Sequence, residues 1–210
     1  MRWAWFISGV VILCAMWWGP IAHIAHHAFF AHMAAHMAVV AIAAPLIALG
    51  IAGSRLDPVR RLPKIFSPIP ASMVEFVFVW AWHVPQLHHA ARSHWWGHIA
   101  EQGTFLFSGL LLWLSVLGGD SSQRQRRAAS GVIALLLTAM HMTLLGVLIG
   151  MASRPLYPHA HGSHGLTAVQ DQQLGGAVMI LMGGVSYLAG GLGLLAGILR
   201  RSATELQEQP

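Results

Sequence analysis

Six runs of apolar residues, separated by short polar segments, make up most of this chain. A helix needs about 20 apolar residues to cross a lipid bilayer, and each run reaches or approaches that length. The predicted helices span residues 3–18, 25–53, 69–84, 95–117, 128–151 and 174–199. Pro85 follows the third run, which fits a helix stop. The pattern predicts an all-α polytopic membrane bundle of about six transmembrane helices, forming one domain over residues 1–210.

The composition also favours a membrane protein. Of the residues, 56% are hydrophobic and 9% are charged, whereas a soluble domain carries about 25% charged residues. The net charge of +5 comes without a basic patch interleaved with aromatic residues, so nucleic acid is excluded as a partner and membrane lipid is expected. Cys14 is the single cysteine, so no disulfide forms within the chain.

Positive charges fall on one side of the six-helix arrangement. Ten of the 12 Lys and Arg residues lie there: Arg2, Arg55, Arg60, Arg61, Lys64, Arg124, Arg126, Arg127, Arg200 and Arg201. The positive-inside rule then places both termini in the cytoplasm. A signal peptide over residues 1–25 is the alternative. A retained first helix is favoured because the apolar run is rich in tryptophan and no clear small-x-small cleavage site follows it.

Histidines collect on the opposite side. None of the 14 histidines lies in a predicted cytoplasmic segment. With a rise of about 1.5 Å per residue, His36 and His83 each lie about 28 Å from the nearest basic residue of the second cytoplasmic segment. Histidine inside a membrane is costly and usually faces the bundle interior or a cavity. A polar layer in the outward half of the bundle is therefore predicted.

The segment AHMAAHM, residues 31–37, carries two kinds of metal ligand on one helix. Its histidines and methionines share an arc of about 140°: His32, Met33, His36 and Met37. Imidazole binds several transition metals, whereas thioether selects Cu(I). The sequence Met140-His141-Met142 repeats the mixture. Together the two segments predict a Cu(I) site, with interhelical hydrogen bonds and apolar packing of the methionines as the structural alternatives.

The predicted ligands divide into three groups. His32, His36, His83 and His141 are the principal candidates, and Met33, Met37, Met140 and Met142 are softer auxiliaries. His98 and Glu101, three residues apart, are either outer ligands, a carboxylate that orients a ligand histidine, or a self-satisfied pair. Asp171 orients a histidine or caps the last helix.

Other polar residues have simpler interpretations. Two outward loops carry histidines that either capture metal or are solvated, the latter being favoured: His88, His89 and His94 in one, and His159, His161 and His164 in the other. Glu75 is expected to extend to the cytoplasmic interface.

Several segments in order resemble the CtaG-type cytochrome c oxidase assembly factors, a bacterial family of multi-pass membrane proteins. They are HMAAHM with Pro45, WAWHVPQL at 80–87, HIAEQGTFLFSGLLLW at 98–113, MTLLG at 142–146, PLYP at 155–158, and DQQLGG at 171–176 with Met179. The chain departs from the family at Gln102, where a histidine commonly follows the glutamate, and at Ile180, where an aromatic is common. Gln102 is therefore expected beside the ligands and not among them.

The resemblance implies a function in the bacterial inner membrane. It implies that the protein helps a haem–copper oxidase to obtain copper, with an oxidase subunit as receiver and a periplasmic copper chaperone as candidate donor. A haem-binding electron-transfer protein, with haem held by two histidines, is the alternative. A copper channel without an oxidase partner is another. An enzyme is not expected, because the sequence contains no nucleophile–base pair, phosphate loop or paired carboxylates in a cleft.

Overall fold

The computed structural model describes residues 2–25, 27–157 and 165–207, and within these residues every regular element is helical. His159, His161 and His164 lie outside the described residues. The helices are α1 (Arg2–Trp18), α2 (Pro20–Ala25), α3 (Phe29–Ile51), α4 (Pro68–His83), α5 (Pro85–Ser93), α6 (Trp95–Leu117), α7 (Ser121–Gly150) and α8 (Ala168–Gln207). A 3₁₀ turn, Pro58–Arg60, lies between α3 and α4.

Four of these helices have the length and apolarity needed to cross a membrane: α3, α6, α7 and α8. The apolar helix α1 has 17 residues and α4 has 16. The all-helical prediction is confirmed for the described residues, and the chain has the helices of a membrane protein. Six spans and cytoplasmic termini stay predictions.

Helix α3 contains a π-helical turn at Val39–Ala43, just after its histidines and methionines. Pro45 explains part of this irregularity, because proline has no N–H to donate to the carbonyl of Ala41. The backbone N–H of Ala44 bonds instead to the carbonyl of Val39, five residues back. The backbone carbonyls of Val40 and Ala41 therefore lack their partners within the helix. In an apolar interior an unpaired polar group costs roughly several kcal/mol.

Neighbouring helices supply the missing donors. The Trp113 Nε1–H of α6 donates to the Val40 carbonyl at 3.1 Å, and the Ser186 hydroxyl of α8 donates to the Ala41 carbonyl at 2.6 Å. The irregular turn therefore fixes α3 against α6 and α8 at one level of the bundle.

Helices α7 and α8 approach closely along a pair of glycines. A methyl group built on Gly176 would lie 2.6 Å from the Gly146 carbonyl oxygen and 2.9 Å from the Gly150 nitrogen. A methyl group on Gly146 would in turn lie 2.8 Å from Ile180. Small residues at such crossings let helix backbones meet in membranes, where van der Waals contact contributes much of the association energy.

The predicted basic loops meet at one end of the bundle. The buried Asp57 carboxylate accepts hydrogen bonds from the backbone N–H groups of Gly53 and Gly119, and so connects the loop after α3 to the loop before α7. The Arg127 guanidinium donates to the carbonyls of Phe66 and Ser115. Charge and backbone capping together hold four helix ends in place.

Glu75 lies elsewhere than expected. Its side chain does not reach an interface, because the residue is fully buried in α4. The carboxyl contacts side chains of α7 and α8 within the bundle. The expectation that Glu75 extends to the cytoplasmic surface is therefore wrong, since hydroxyl partners inside the bundle satisfy it.

The glycine contact between α7 and α8 predicts a specific sensitivity. Gly176→Ala should lower the free energy of unfolding by about 1–3 kcal/mol, because the methyl group overpacks a backbone contact. Gly184→Ala is the matched control, since nothing lies within 4 Å of a methyl group at that position. Thermal unfolding in detergent measures both. Equal melting temperatures for the two variants would contradict this packing.

Candidate metal centre

Two histidines and a glutamate from three helices meet near one end of the bundle. His32 of α3, His88 of α5 and Glu101 of α6 each offer one ligand atom, and these atoms lie within 4.8 Å of one another. All three residues are buried. His32 Nε2 lies 3.2 Å from Glu101 Oε1, without the alignment of a hydrogen bond. We call these three residues the outer cluster. Their donor set, two imidazoles and a carboxylate, suits a transition-metal ion.

The Val84–Pro85 break brings His88 into the outer cluster. Val84 is extended and Pro85 starts α5, so the chain turns after α4 and places His88 against Phe29 and His32 at the start of α3. The His88 ring lies edge-on to His32, with centroids 5.2 Å apart, and packs against Tyr157 at 4.6 Å. Burial lowers the pKa of His88 well below its ordinary value, and His32 lowers it further. A neutral imidazole with an available lone pair is the form that binds metal.

A small cavity adjoins the outer cluster. It has a volume of about 20 Å³ and is lined by residues that include His32, His98, Arg92 and Gln102. A cavity needs roughly 10–15 Å³ to admit one water molecule. This space therefore admits a water or a single ion, and it is far too small for a macrocycle.

A second pair of ligand atoms lies beside the outer cluster. His83 Nδ1 is 2.6 Å from the Val79 carbonyl, which can only accept, so Nδ1 carries the hydrogen of the neutral ring. His83 Nε2 then presents a lone pair to Met33 Sδ at 3.4 Å. Two acceptors that face each other without a hydrogen between them are suited to a shared cation. We call His83 and Met33 the inner pair.

His36 lies next to the inner pair. Its ring is fully buried, with a centroid 5.6 Å from that of His83 and 3.8 Å from that of Phe105. Neither ring nitrogen has a hydrogen-bond partner in the part of the chain that the structure describes. A buried imidazole without hydrogen-bond partners is costly, and the lone pair of its neutral ring could bind a metal ion.

The remaining methionines divide into buried and exposed. Met37 and Met142 are fully buried and pack over Gly183 of α8, where a methyl group would lie 3.2 Å from Met37 Cε and 3.3 Å from Met142 Cβ. Met140 is 67% exposed on the outer surface of α7. The structure therefore brings Met37 and Met142 to one place in the core and leaves Met140 outside the clusters.

His141 lies apart from the other predicted ligands. Its ring packs edge-on against Phe76 of α4, with centroids 5.3 Å apart. It lines an apolar groove of about 920 Å³ between α4, α7 and α8, together with Met140 and Gly184. His141 is buried, and its nitrogens have no hydrogen-bond partner among the described residues. It belongs to neither the outer cluster nor the inner pair.

His98 and Gln102 surround Glu101. His98 Nδ1 lies 3.8 Å from Glu101 Oε2, and the His98 side chain is 41% exposed. Gln102 donates from Nε2 to Glu101 Oε2 at 3.3 Å and accepts from Trp17 Nε1 at 3.1 Å. Gln102 is therefore hydrogen-bonded to the carboxylate, beside the cluster, and His98 lies within ion-pair distance of it.

Asp171 caps a helix other than its own. Its two carboxylate oxygens accept from the backbone N–H groups of Phe29 and Phe30, at 2.8 and 2.9 Å. It therefore satisfies the first turn of α3 from a position in α8, one turn before His32. Asp171 was predicted to cap the last helix or to orient a histidine. Its carboxylate instead caps α3.

The place of His88 in the outer cluster was not predicted from the sequence. His88 was expected in an outward loop with His89 and His94, because Pro85 fits a helix stop. The signal was present in PQLHHAARS, since His88 and Ala91 share one face of a short helix that starts at proline. Tyr157 was missed as well, although its hydroxyl donates to the His83 carbonyl at 2.9 Å.

One comparison with known proteins identifies a family. The family described as cytochrome c oxidase caa3 assembly factor matches residues 1–201. No curated protein and no solved structure matches the chain.

The Asp171 cap predicts a dependence of α3 on α8. Asp171→Ala should lower the free energy of unfolding by about 1.5–3 kcal/mol, because one buried and one partly buried N–H group lose a charged acceptor. Gln170→Ala is the matched control, since Gln170 is exposed and bonds locally to Thr167. Thermal unfolding in detergent compares the two. An Asp171→Ala protein as stable as the control would contradict the cap.

Proposed function

The chain belongs to the cytochrome c oxidase caa3 assembly factor family, and we propose that it assists the oxidase by binding and delivering copper. In this proposal Cu(I) is the cargo, and the outer cluster with the inner pair holds it. The protein acts in the bacterial inner membrane, with the outer cluster on the periplasmic side.

The outer cluster is the observation that carries this proposal. Three buried ligand atoms from three helices converge within 4.8 Å. Buried polar groups are normally paired with hydrogen-bond partners, and ionisable side chains inside membranes usually mark a functional path. Interhelical hydrogen bonding alone accounts poorly for this arrangement, because His32 Nε2 and both nitrogens of His36 have no aligned partner among the described residues.

The inner pair favours Cu(I) over harder cations. A thioether is a soft ligand that binds Cu(I) well, and the facing imidazole nitrogen of His83 supplies a second donor. His36 and the buried Met37 extend this set along α3. We propose that the ion enters at the outer cluster and shares ligands with the inner pair.

Weak binding of Cu(I), by few ligands at each of two positions, would allow its transfer to the oxidase. Few ligands at each position would let a receiving site with a fuller ligand set remove the ion. The receiver in this proposal is an oxidase subunit, and a periplasmic copper chaperone is the candidate donor. Ligand exchange needs no covalent catalysis, so we propose a carrier and not an enzyme.

The haem alternative has less support. A haem held by two histidines, as this alternative requires, needs a flat apolar slot between its axial ligands. The Phe105 ring covers His36 with centroids 3.8 Å apart, and His141 faces a different groove. The cavity at His32 has a volume of only about 20 Å³.

A copper channel uses the same residues as the delivery proposal, and copper uptake with intact oxidase activity would distinguish it.

Removal of the outer cluster should remove copper handling. The double variant His32→Ala/His88→Ala is expected to lose bound copper in metal analysis after loading with Cu(I), and to lower oxidase activity and oxidase copper in cells. The matched control is His94→Ala, whose side chain is exposed. Full copper loading and normal oxidase in the double variant would reject the proposal. A haem absorption band in the purified protein would favour electron transfer.

The inner pair leads to a separate prediction about Cu(I) affinity. Met33→Leu keeps the volume and apolar character of the side chain but removes the sulfur, so Cu(I) affinity should fall by at least about 10-fold, because even changes outside the ligand shell cost about 10–100-fold at metal sites. Met140→Leu is the control, since Met140 is exposed and away from both clusters. Competition titration with a Cu(I) chelator gives both affinities. Equal affinities would exclude Met33 as a ligand.

A further inference from the structure

Glu75 belongs to a hydrogen-bonded set of four side chains that the proposed copper function does not use. The Tyr187 hydroxyl donates to Glu75 Oε1 at 2.7 Å, and the Thr138 hydroxyl lies 3.5 Å from Glu75 Oε2. Ser72 Oγ lies 2.9 Å from Thr138 Oγ1. All four residues are fully buried. We call them the carboxyl cluster.

The carboxyl cluster lies near the middle of the membrane-crossing helices. Thr138 is 11 residues from Arg127, a rise of about 16 Å, and Tyr187 is 13 residues from Arg200, a rise of about 20 Å. The apolar core of a bilayer is about 30 Å thick. Glu75, which contacts both side chains, is therefore placed at a depth where an unpaired charge is expensive.

The partners of Glu75 differ from those of four other carboxylates in the chain. Asp57, Asp120 and Asp171 accept from backbone N–H groups, and Glu101 faces a histidine nitrogen and the Gln102 amide. An N–H group can only donate, so it stabilises the ionised acceptor. Among the residues that the structure describes, the partners of Glu75 are hydroxyls, and a hydroxyl can donate or accept.

A neutral acid fits this arrangement. Oε1 accepts from Tyr187, and the contact between Oε2 and the Thr138 hydroxyl accommodates a hydrogen on either oxygen, because Thr138 and Ser72 can each act as the donor in their shared contact. Direct oxygen–oxygen contacts of 2.7 and 2.9 Å fill the cluster, so a metal cation is not accommodated between these groups.

Titratable groups on the surrounding helices do not neutralise Glu75. His83 lies two turns along α4 in the inner pair, and Arg127 of α7 is engaged with carbonyls at the basic end. His141 of α7 packs against Phe76, next to Glu75 in sequence, and makes no ion pair in the described part of the chain. On α8 the facing group is Tyr187 itself, whose ring stacks on Trp113 of α6.

We propose that Glu75 is a proton-binding site inside the membrane, holding one proton as a neutral carboxylic acid at pH 7. Ser72 lies on the side of the cluster nearer the basic end, one turn from Pro68, so the hydroxyls lead from Glu75 toward that end. The site does not depend on copper, and its test is independent of the delivery proposal.

Infrared spectroscopy of the purified protein in detergent tests the proposal. At pH 7 the wild-type protein should show the carbonyl-stretching band of a protonated carboxylic acid, shifted to lower frequency in D₂O and lost in Glu75→Gln. Tyr187→Phe should move the band to higher frequency, because it removes the hydrogen bond to Oε1. Glu101→Gln is the control and should leave the band unchanged.

Three results would overturn the assignment. They are the absence of the band at pH 7, its survival in Glu75→Gln, and an unshifted band in Tyr187→Phe. The Tyr187→Phe variant keeps the test decisive if Glu75→Gln does not fold, because it changes one hydrogen bond and leaves the carboxyl in place.

Discussion

Backbone polar groups buried among apolar helices must be satisfied without water, and this constraint fixes the helix that carries the candidate ligands. At its start, α3 depends on the Asp171 carboxylate of α8. At its proline-induced irregularity it depends on Trp113 and Ser186. Between these two attachments lie the histidines and methionines of residues 32–37. The position of the ligands thus follows from hydrogen bonds that other helices supply to the backbone of α3.

The polar interior changes in character along the bundle. The outer cluster has nitrogen and carboxylate donors, the inner pair adds sulfur, and the carboxyl cluster has only oxygen. Soft and borderline donors suit copper, whereas hydroxyls around one carboxyl suit a proton. The proposed copper and proton sites are therefore separated by ligand chemistry as well as by depth. Membership of the family shows a role in oxidase assembly, and the oxidase is the receiver of copper in our proposal.

The long helices and their buried faces were predictable from the sequence, because they depend on hydrophobic periodicity. Contacts between helices that are distant in sequence were not predictable. Apolar runs gave the long helices, with α6 at its predicted bounds of 95–117. Shared helical faces placed Met33 and His36 in the interior. The partners of Glu75 and Asp171 were not predictable, since they come from residues more than 60 positions away. His88 was missed because its position depends on the turn at Val84–Pro85. The pattern of PQLHHAARS predicts the short helix α5 but not the direction in which the chain turns before it.

Copper K-edge X-ray absorption on protein loaded with an equimolar amount of Cu(I) tests whether the outer cluster binds copper. We expect imidazole scattering from His32 and His88 in the wild-type protein, and the loss of one imidazole in His88→Ala. A spectrum unchanged by His88→Ala, or one without imidazole ligands, would contradict the assignment of the outer cluster as the copper-binding site.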